Sequence, residues 1–351
     1  MPVHVLDAMS RGGFEEIIAL HHGPSGLRGF LALHDTSAGA AYGGIRRWQY
    51  QDERRALLDC MRLARSMTHK CALAGIEAGG AKLVLIDHAG LDLPAAYRHI
   101  GQVVERCAGR FYTGPDVGTG PEELGWVAEG TGNVTDPGPE GPGDLAEATS
   151  AGVFAGMEAA LRHLDGEEDW SRRRVVIQGL GAVGGRLAQR LRERGASVVA
   201  AEIESDRALQ LAAELELELA EPGSELDQRC DIFSPCAMGG VVHDVTLKRM
   251  QCRIVAGGAN NILARPVHGD RLHEQGVLYL PDVVINAGAL IRGAGFHMDS
   301  TMASVPEIEK RIADTSARIL ALSEAESSPP MRVAEAEAER LLEERRGWVR
   351  S

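Results

Sequence analysis

The chain has 351 residues, 44% of them apolar and 25% charged, with a net charge of −13. That length favours two domains over a single core. The acidic balance, with no basic patch to offset it, excludes nucleic acid as a partner.

No stretch approaches the roughly 20 consecutive apolar residues of a membrane span, and residues 1–13 lack a basic-then-apolar leader. The expectation is a cytoplasmic protein with no membrane partner. Cys60, Cys71, Cys107, Cys230, Cys236 and Cys252 show no C-x-x-C spacing and read as reduced thiols. The histidines form no H-E-x-x-H, and His268 and His273 flank a loop-like Gly-Asp, so no metal site is expected.

In chain order, residues 14–34 hold two apolar runs separated by Gly23-Pro24-Ser25-Gly26, which predicts a hairpin. A turn-rich stretch follows, ending in Tyr42-Gly43-Gly44-Ile45-Arg46. Leu57, Cys60, Met61, Ala64 and Met67 recur at helical spacing and predict an amphipathic helix over 52–67, closed by Thr68-His69-Lys70. A Gly-rich loop over 75–82 leads into a short strand at 83–86. A further helix is expected over 93–108. Pro137-Gly138-Pro139-Glu140-Gly141-Pro142-Gly143 can be neither helix nor central strand and marks a domain boundary. Beyond it a helix is expected at 149–163, followed by strand–helix alternation. The strands fall at 175–178, 198–202, 231–233, 253–256 and 277–279, and the helices at 185–194 and 206–219. Ser171-Arg172-Arg173-Arg174 is a solvated lead into the first of these strands. The fold class is therefore α/β, with a doubly wound parallel sheet of Rossmann type in the second half. Two tail helices follow, separated by Ser327-Ser328-Pro329-Pro330. The first puts Ile308, Ile312, Ile319 and Leu322 on one face, and the second covers 333–346.

Gly179-Leu180-Gly181-Ala182-Val183-Gly184 matches G-x-G-x-x-G between an apolar strand and an amphipathic helix. Gly179 permits the tight turn, Gly181 leaves room for a pyrophosphate, and Gly184 lets helix and strand pack closely. Glu202 ends the next strand. A carboxylate there accepts hydrogen bonds from both ribose hydroxyls and repels a 2′-phosphate, which predicts NAD rather than NADP.

Lys70 and Lys82, joined by a Gly-rich loop, suggest an anion site with a perturbed amine: two close ammonium groups make each easier to deprotonate. Either lysine equally fits a solvated loop end. Asp116, in Tyr112-Thr113-Gly114-Pro115-Asp116-Val117-Gly118-Thr119, reads as a site carboxylate or as an Asx-turn or helix cap.

Taken with Gly43–Arg46, Met67–Lys70, Gly79–Lys82, Gly114–Thr119, Cys230–Ala237, Ala256–Asn261 and Pro281–Gly288, in this order, the chain resembles the amino acid dehydrogenases acting on glutamate, leucine, phenylalanine and valine. The resemblance implies reversible NAD-dependent oxidative deamination of an L-amino acid to a 2-oxo acid and ammonia. It implies that Lys70 holds the substrate carboxylate and has Lys82 as its neighbour. Lys82 would activate water and stabilise the carbinolamine, and Asp116 would exchange a proton with the amino group. It places Gly43, Gly44 and Asn286 at the substrate, and Thr149 and Asn260 beside the nicotinamide, with Ala182 and Val183 in the cofactor turn. It further implies a substrate-binding and oligomerisation domain over 1–140, to which a helix at 331–351 returns, an NAD-binding domain over 141–330, a cleft that closes over substrate, and a homo-oligomer.

Two departures stand out. Ala81 replaces a family glycine, and its methyl is expected to tighten the loop carrying Lys82. Ala146-Glu147-Ala148 precedes Thr149 where the family often has Ser-Pro. Glutamate-specific relatives carry a lysine where this chain has Tyr42, so glutamate is disfavoured. Gly114, expected to deepen an apolar pocket, and the pocket positions Leu290 and Gly293 lean the reading towards large aliphatic or aromatic side chains. The alternatives are a catalytically silent NAD-binding regulatory paralogue and a hydroxy-acid dehydrogenase, for which His297 with Asp299 is the candidate pair.

Overall fold

The computed structural model describes residues 4–135 and 141–350, apart from the side chains of Asp299 and of residues 347–350. Four residues of the expected boundary segment, Pro137 to Glu140, therefore lie outside the described residues. The chain divides into two compact units: Met1–Gly143 with Phe296–Ser300 and Ala338–Ser351, and Asp144–Gly295 with Thr301–Glu337.

The first unit opens with α1 (Val5–Gly12), then β1 (Glu16–His22) and β2 (Leu27–Asp35), which form the expected antiparallel hairpin. Next come β3 (Ala41–Trp48), α2 (Glu53–Leu73), β4 (Gly79–Ile86), α3 (Leu93–Arg106), β5 (Phe111–Gly114) and α4 (Pro121–Ala128). The sheet order is β1-β2-β4-β3-β5, with β4 antiparallel to β2 and β3 parallel to both β4 and β5. Side chains alternate across it. Ala41, Ile45, Ala81, Leu83 and Leu85 pack with Tyr97, Ile100 and Val104 of α3 and Leu124 and Val127 of α4. Ala32 and Val84 face the other way, onto Ala56, Cys60 and Ala64 of α2.

Helix α2 starts where the Asp52 side chain accepts the Arg55 N–H at 2.7 Å, an N-cap. It runs to Leu73, beyond the expected end, so Lys70 sits in its last turn.

Two segments read as turn and loop are strands. Tyr42–Arg46 belongs to β3, and Gly79–Lys82 opens β4, so Lys82 stands mid-strand. Their glycines serve close approach of backbones rather than looping. A Cβ on Gly79 would lie 1.5 Å from the Asp35 carbonyl oxygen, one on Gly80 2.1 Å from the Thr68 nitrogen, and one on Gly43 1.8 Å from the Ala81 carbonyl oxygen. Ala81 does not tighten a loop either: its methyl is fully buried in the core on the face away from α2.

The second unit begins with α5 (Leu145–Asp165) and continues through β6 (Arg174–Gln178), α6 (Ala182–Glu193), β7 (Ser197–Ala201), α7 (Ser205–Leu215), β8 (Glu218–Leu219), β9 (Ile232–Pro235) and β10 (Ile254–Val255). Then follow α8 (Pro266–Glu274), β11 (Leu278–Tyr279), α9 (Asp282–Ile285), α10 (Gly288–Asp299), α11 (Val305–Glu326) and α12 (Pro330–Arg350). The sheet is wholly parallel in the order β11-β10-β9-β6-β7-β8, a doubly wound Rossmann-like arrangement. The helix expected over 206–219 stops at Leu215. Glu216 takes a left-handed backbone (φ 53°), and Glu218–Leu219 adds an edge strand. His268 and His273 lie in α8 rather than beside a loop. The His268 Nδ1 accepts the Arg265 N–H at 3.1 Å, tying down the helix start.

The last part of α12 belongs to the first unit. There Glu339 pairs with Arg65 (2.8 Å) and His69 (3.0 Å), Arg345 donates to the Ile76 carbonyl (3.0 Å), and Arg346 Nε donates to Asp35 (3.1 Å). Among the described residues no helix is long and apolar enough to cross a membrane, and no cluster of His, Cys, Asp or Glu could hold a metal ion.

Candidate active site

In the first unit, Lys82 from β4 meets Asp116 from the turn after β5. Their Nζ and Oδ2 atoms are 2.7 Å apart and both side chains are 7% exposed. Gly44 makes this approach possible, since a Cβ there would sit 2.4 Å from the Pro115 carbonyl oxygen and 3.1 Å from the Asp116 Cβ. Arg46, two residues along the same face of β3, donates from Nε to Asp116 Oδ2 (3.0 Å) and from Nη2 to Oδ1 (3.4 Å). Burial alone would raise the Asp116 carboxyl, but the charges of Lys82 and Arg46 overcome it and hold the group well below the usual carboxylate range. The group found against Lys82 is this carboxylate. Lys70 is itself buried, in the last turn of α2.

Arg46 also donates from Nη1 to Asp59 of α2 (3.3 Å), and Asp59 accepts the Tyr50 hydroxyl (2.7 Å) and Arg62 Nη2 (2.7 Å). Arg46, Asp59 and Tyr50 were given no role on sequence. Reading 42–46 as a strand, with period-two alternation putting Tyr42, Gly44 and Arg46 on one face, was the available signal.

Tyr42 is buried and stacks on Tyr112 of the neighbouring strand, with centroids 5.3 Å apart and planes 12° apart. His297 tilts against both rings, at 6.4 Å from Tyr42 and 5.4 Å from Tyr112. The other member of the hydroxy-acid dehydrogenase pair, the Asp299 side chain, is outside the described residues. Gly114 does not deepen a pocket, because its Cβ direction points at the Thr135 hydroxyl, 2.9 Å away. Gly293 of α10 does open onto space, with no atom within 4 Å of a Cβ placed there, and Leu290 on the same helix is half-buried.

In the second unit the glycine turn has the shape a dinucleotide needs. Gly179 adopts φ 92°, a left-handed backbone that suits glycine, and a Cβ on Gly184 would fall 2.0 Å from the Gly179 carbonyl oxygen. Gly181 caps α6 without a side-chain hydrogen bond, and a Cβ on it would meet no atom within 4 Å. The space before this helix N-terminus, beside Ala182 and Val183, is thus open to an anion. Glu202, just past β7, accepts the Leu180 N–H (2.8 Å) through one carboxylate oxygen and the Glu204 N–H (3.0 Å) through the other. It therefore fixes the turn, while keeping lone pairs for a ribose. Burial opposes its ionisation, but these backbone bonds and Arg207 prevail and hold its pKa below the usual carboxylate value.

Asn286 donates to the Asn260 Oδ1 at 2.9 Å, and its own buried Oδ1 accepts no hydrogen bond among the described residues. Thr149, in α5, donates its hydroxyl to the Leu145 carbonyl (2.9 Å). A Cβ on Gly288 would lie 1.9 Å from the Ala148 carbonyl oxygen, so that glycine brings α10 against this part of α5. Glu147, the departure before Thr149, is an ion-pair partner of Arg190 on α6.

The family model described as the Glu/Leu/Phe/Val dehydrogenase dimerisation domain matches residues 17–133, and the Glutamate/Leucine/Phenylalanine/Valine dehydrogenase model matches 141–206 and 203–320. The chain belongs to the Glu/Leu/Phe/Val dehydrogenase family. It is an oxidoreductase that acts on amino acids, and its N-terminal part is the family's dimerisation domain. This family member is 40% identical over 319 residues to phenylalanine dehydrogenase of Thermoactinomyces intermedius, covering 88% of this chain and 87% of that one. It is 34% identical over 337 residues to leucine dehydrogenase of Geobacillus stearothermophilus, covering 94% and 91%. Among solved structures it is similar to L-tryptophan dehydrogenase of Nostoc punctiforme, with a TM-score of 0.82 and 30% identity over 97% of this chain and 99% of that one.

Proposed function

We propose that the protein catalyses the reversible, NAD-dependent oxidative deamination of an apolar L-amino acid to its 2-oxo acid and ammonia. The observation that carries this is the buried Lys82–Asp116 contact in a chain that also keeps Lys70 buried on the adjoining helix. A silent paralogue has no use for that set, and the relatives named above are dehydrogenases.

In this reading the Lys70 ammonium holds the substrate carboxylate. Asp116 takes up the proton of the substrate ammonium, which leaves to solvent as the net proton of the reaction, and a nicotinamide held by the second unit would then accept the hydride from Cα of the free amine. Water then adds to the resulting iminium carbon, giving up a proton to the Lys82 amine, which also stabilises the carbinolamine. Asp116, 2.7 Å from Lys82, exchanges a proton with the departing amino group, and collapse of the carbinolamine releases ammonia and the 2-oxo acid. Gly179, Gly181, Gly184, Ala182 and Val183 would hold the pyrophosphate, Glu202 the ribose, and Thr149, Asn260 and Asn286 would lie at the nicotinamide end.

We assign the side-chain specificity positions to Tyr42, Gly43 and Gly44 in the first unit and to Leu290 and Gly293 in the second, as the resemblance to the family implies. Tyr42 stacked on Tyr112 offers no cation for a second carboxylate, so the substrate is apolar, with large aliphatic or aromatic side chains preferred. Because one methylene is worth only about 1–3 kcal/mol, related substrates overlap. The protein works in the cytoplasm as a homo-oligomer assembled through its N-terminal domain, residues 1–140.

Steady-state kinetics with Leu, Val, Phe, Trp and Glu, each with NAD and NADP, tests the reading. The expected result is the highest kcat/KM for a large apolar amino acid with NAD. Glutamate as best substrate, or NADP as best cofactor, overturns the corresponding part.

A further inference from the structure

Arg46 spends three of its donor groups on two carboxylates from different elements: Nε and Nη2 on Asp116, and Nη1 on Asp59. Side-chain exposure is 14% for Arg46, 7% for Asp116 and 18% for Asp59, so these contacts are largely screened from water. The charges alternate along the line Asp59, Arg46, Asp116, Lys82, with the Tyr50 hydroxyl closing one end at 2.7 Å and Arg62 standing at the exposed rim. The charged groups facing Asp116 are Lys82 from β4 and Arg46 from β3, and those facing Asp59 are Arg46 and Arg62.

The chemistry proposed above requires Lys82 to be neutral when it takes a proton from water. At that moment Asp116 loses one of its two cations. A buried carboxylate left with too little compensation takes up a proton or swings away. Arg46 does not titrate in the accessible range, and its rigid fork spans both oxygens of Asp116 while a third donor rests on Asp59. A lysine in its place could supply the charge but not the fork.

We propose that Arg46, braced by Asp59 and Tyr50, is a positioning residue that keeps the Asp116 carboxylate fixed and charged while the Lys82 amine changes protonation state; this rests on the roles assigned to Lys82 and Asp116 above. Arg46 touches neither substrate nor cofactor in this scheme and acts through Asp116.

The test compares the pH profile of kcat/KM, with the best amino acid and NAD, for wild type, Arg46→Met, Arg46→Lys and Asp59→Asn. Circular dichroism and NAD binding serve as controls for folding. For Arg46→Met the acid limb moves towards neutrality by about one pH unit or more, the size expected for losing an adjacent opposite charge, and kcat falls more than KM rises. Arg46→Lys keeps the acid limb near its wild-type position with a reduced kcat. Asp59→Asn leaves both cations on Asp116, so the limb stays in place while kcat falls about tenfold and KM is little changed. A folded Arg46→Met enzyme with a profile of wild-type shape, however reduced in height, overturns the proposal. If Arg46→Met does not fold, the isosteric Asp59→Asn decides, and an unchanged kcat overturns it. Failure of the underlying assignment looks different: Lys82→Ala would then retain turnover.

Discussion

The Lys82 amine and the Asp116 carboxylate, 34 positions apart in sequence, form a 2.7 Å ion pair inside the first unit. A buried pair of this kind adds little net stability but is costly to break, because either partner left alone is an uncompensated charge. It is therefore best read as machinery, and it makes the first prediction direct.

Lys82→Ala and Asp116→Asn should each lower kcat by about 10²–10⁴-fold, the usual contribution of a general acid or base. NAD affinity should be unchanged, since the cofactor residues belong to the other unit. Rate measurements beside fluorescence titration of NAD separate the two effects. A Lys82→Ala enzyme with wild-type kcat would falsify the assignment.

His34 provides a pH test of stability independent of catalysis. Its Nε2–H donates to the Gly12 carbonyl (2.9 Å) and its Nδ1 accepts the Thr68 hydroxyl (2.8 Å), which fits the neutral ring. Burial is the main cause that pulls its pKa from 6.5 down to about 4. The unfolded chain thus binds more protons than the folded one between these values, so this contribution is full above pH 6.5 and is lost as pH falls towards 4. It amounts to about 3 kcal/mol. Urea unfolding of wild type and His34→Gln at pH 7, 5.5 and 4.5 should show the wild-type advantage shrinking with acidity; a gap that widens contradicts the neutral, buried ring.

Three glycines should respond differently to alanine. Gly181→Ala meets no protein atom within 4 Å, so its melting temperature should match wild type while KM for NAD rises. Gly184→Ala places a methyl 2.0 Å from the Gly179 carbonyl oxygen and should lose both stability and cofactor binding. Gly43→Ala places one 1.8 Å from the Ala81 carbonyl oxygen, next to Lys82, and should cost at least about 1–3 kcal/mol as an overpacked site. Thermal melts and NAD titrations of the three proteins give the comparison. Equal behaviour of Gly181→Ala and Gly184→Ala would count against the pyrophosphate site.

Glu202 lies 3.5 Å from Arg207, a half-exposed side chain near the start of α7. Removing the carboxylate charge with Glu202→Gln preserves an acceptor for the Leu180 N–H and frees Arg207 to meet a 2′-phosphate. The NADP-to-NAD ratio of kcat/KM should rise on the order of tenfold, the worth of one charge-assisted contact. A ratio that stays put would mean that Glu202 serves the turn alone.

Much of the second unit was legible along the chain. A parallel sheet buries both faces, so β6, β7, β9 and β10 stand out as short apolar runs, and the glycine turn lies between β6 and α6 because phosphate binding needs those residues contiguous. The first unit was less legible. Tyr42–Arg46 and Gly79–Lys82 look like turns because glycine is the usual mark of a turn, yet here it admits neighbouring backbones within a sheet. The motif residues Lys70, Lys82 and Asp116 could be picked out by their resemblance to a family, and so could the chemistry they imply. That Asp116 lies against Lys82, that Arg46 links Asp116 to Asp59, and that Gly114 faces Thr135 were decided by the tertiary packing around the order β2-β4-β3-β5. Local sequence records which groups are present and the period of their elements; which charges become neighbours depends on strand pairing between segments up to 70 residues apart, and that is set by packing of the whole unit.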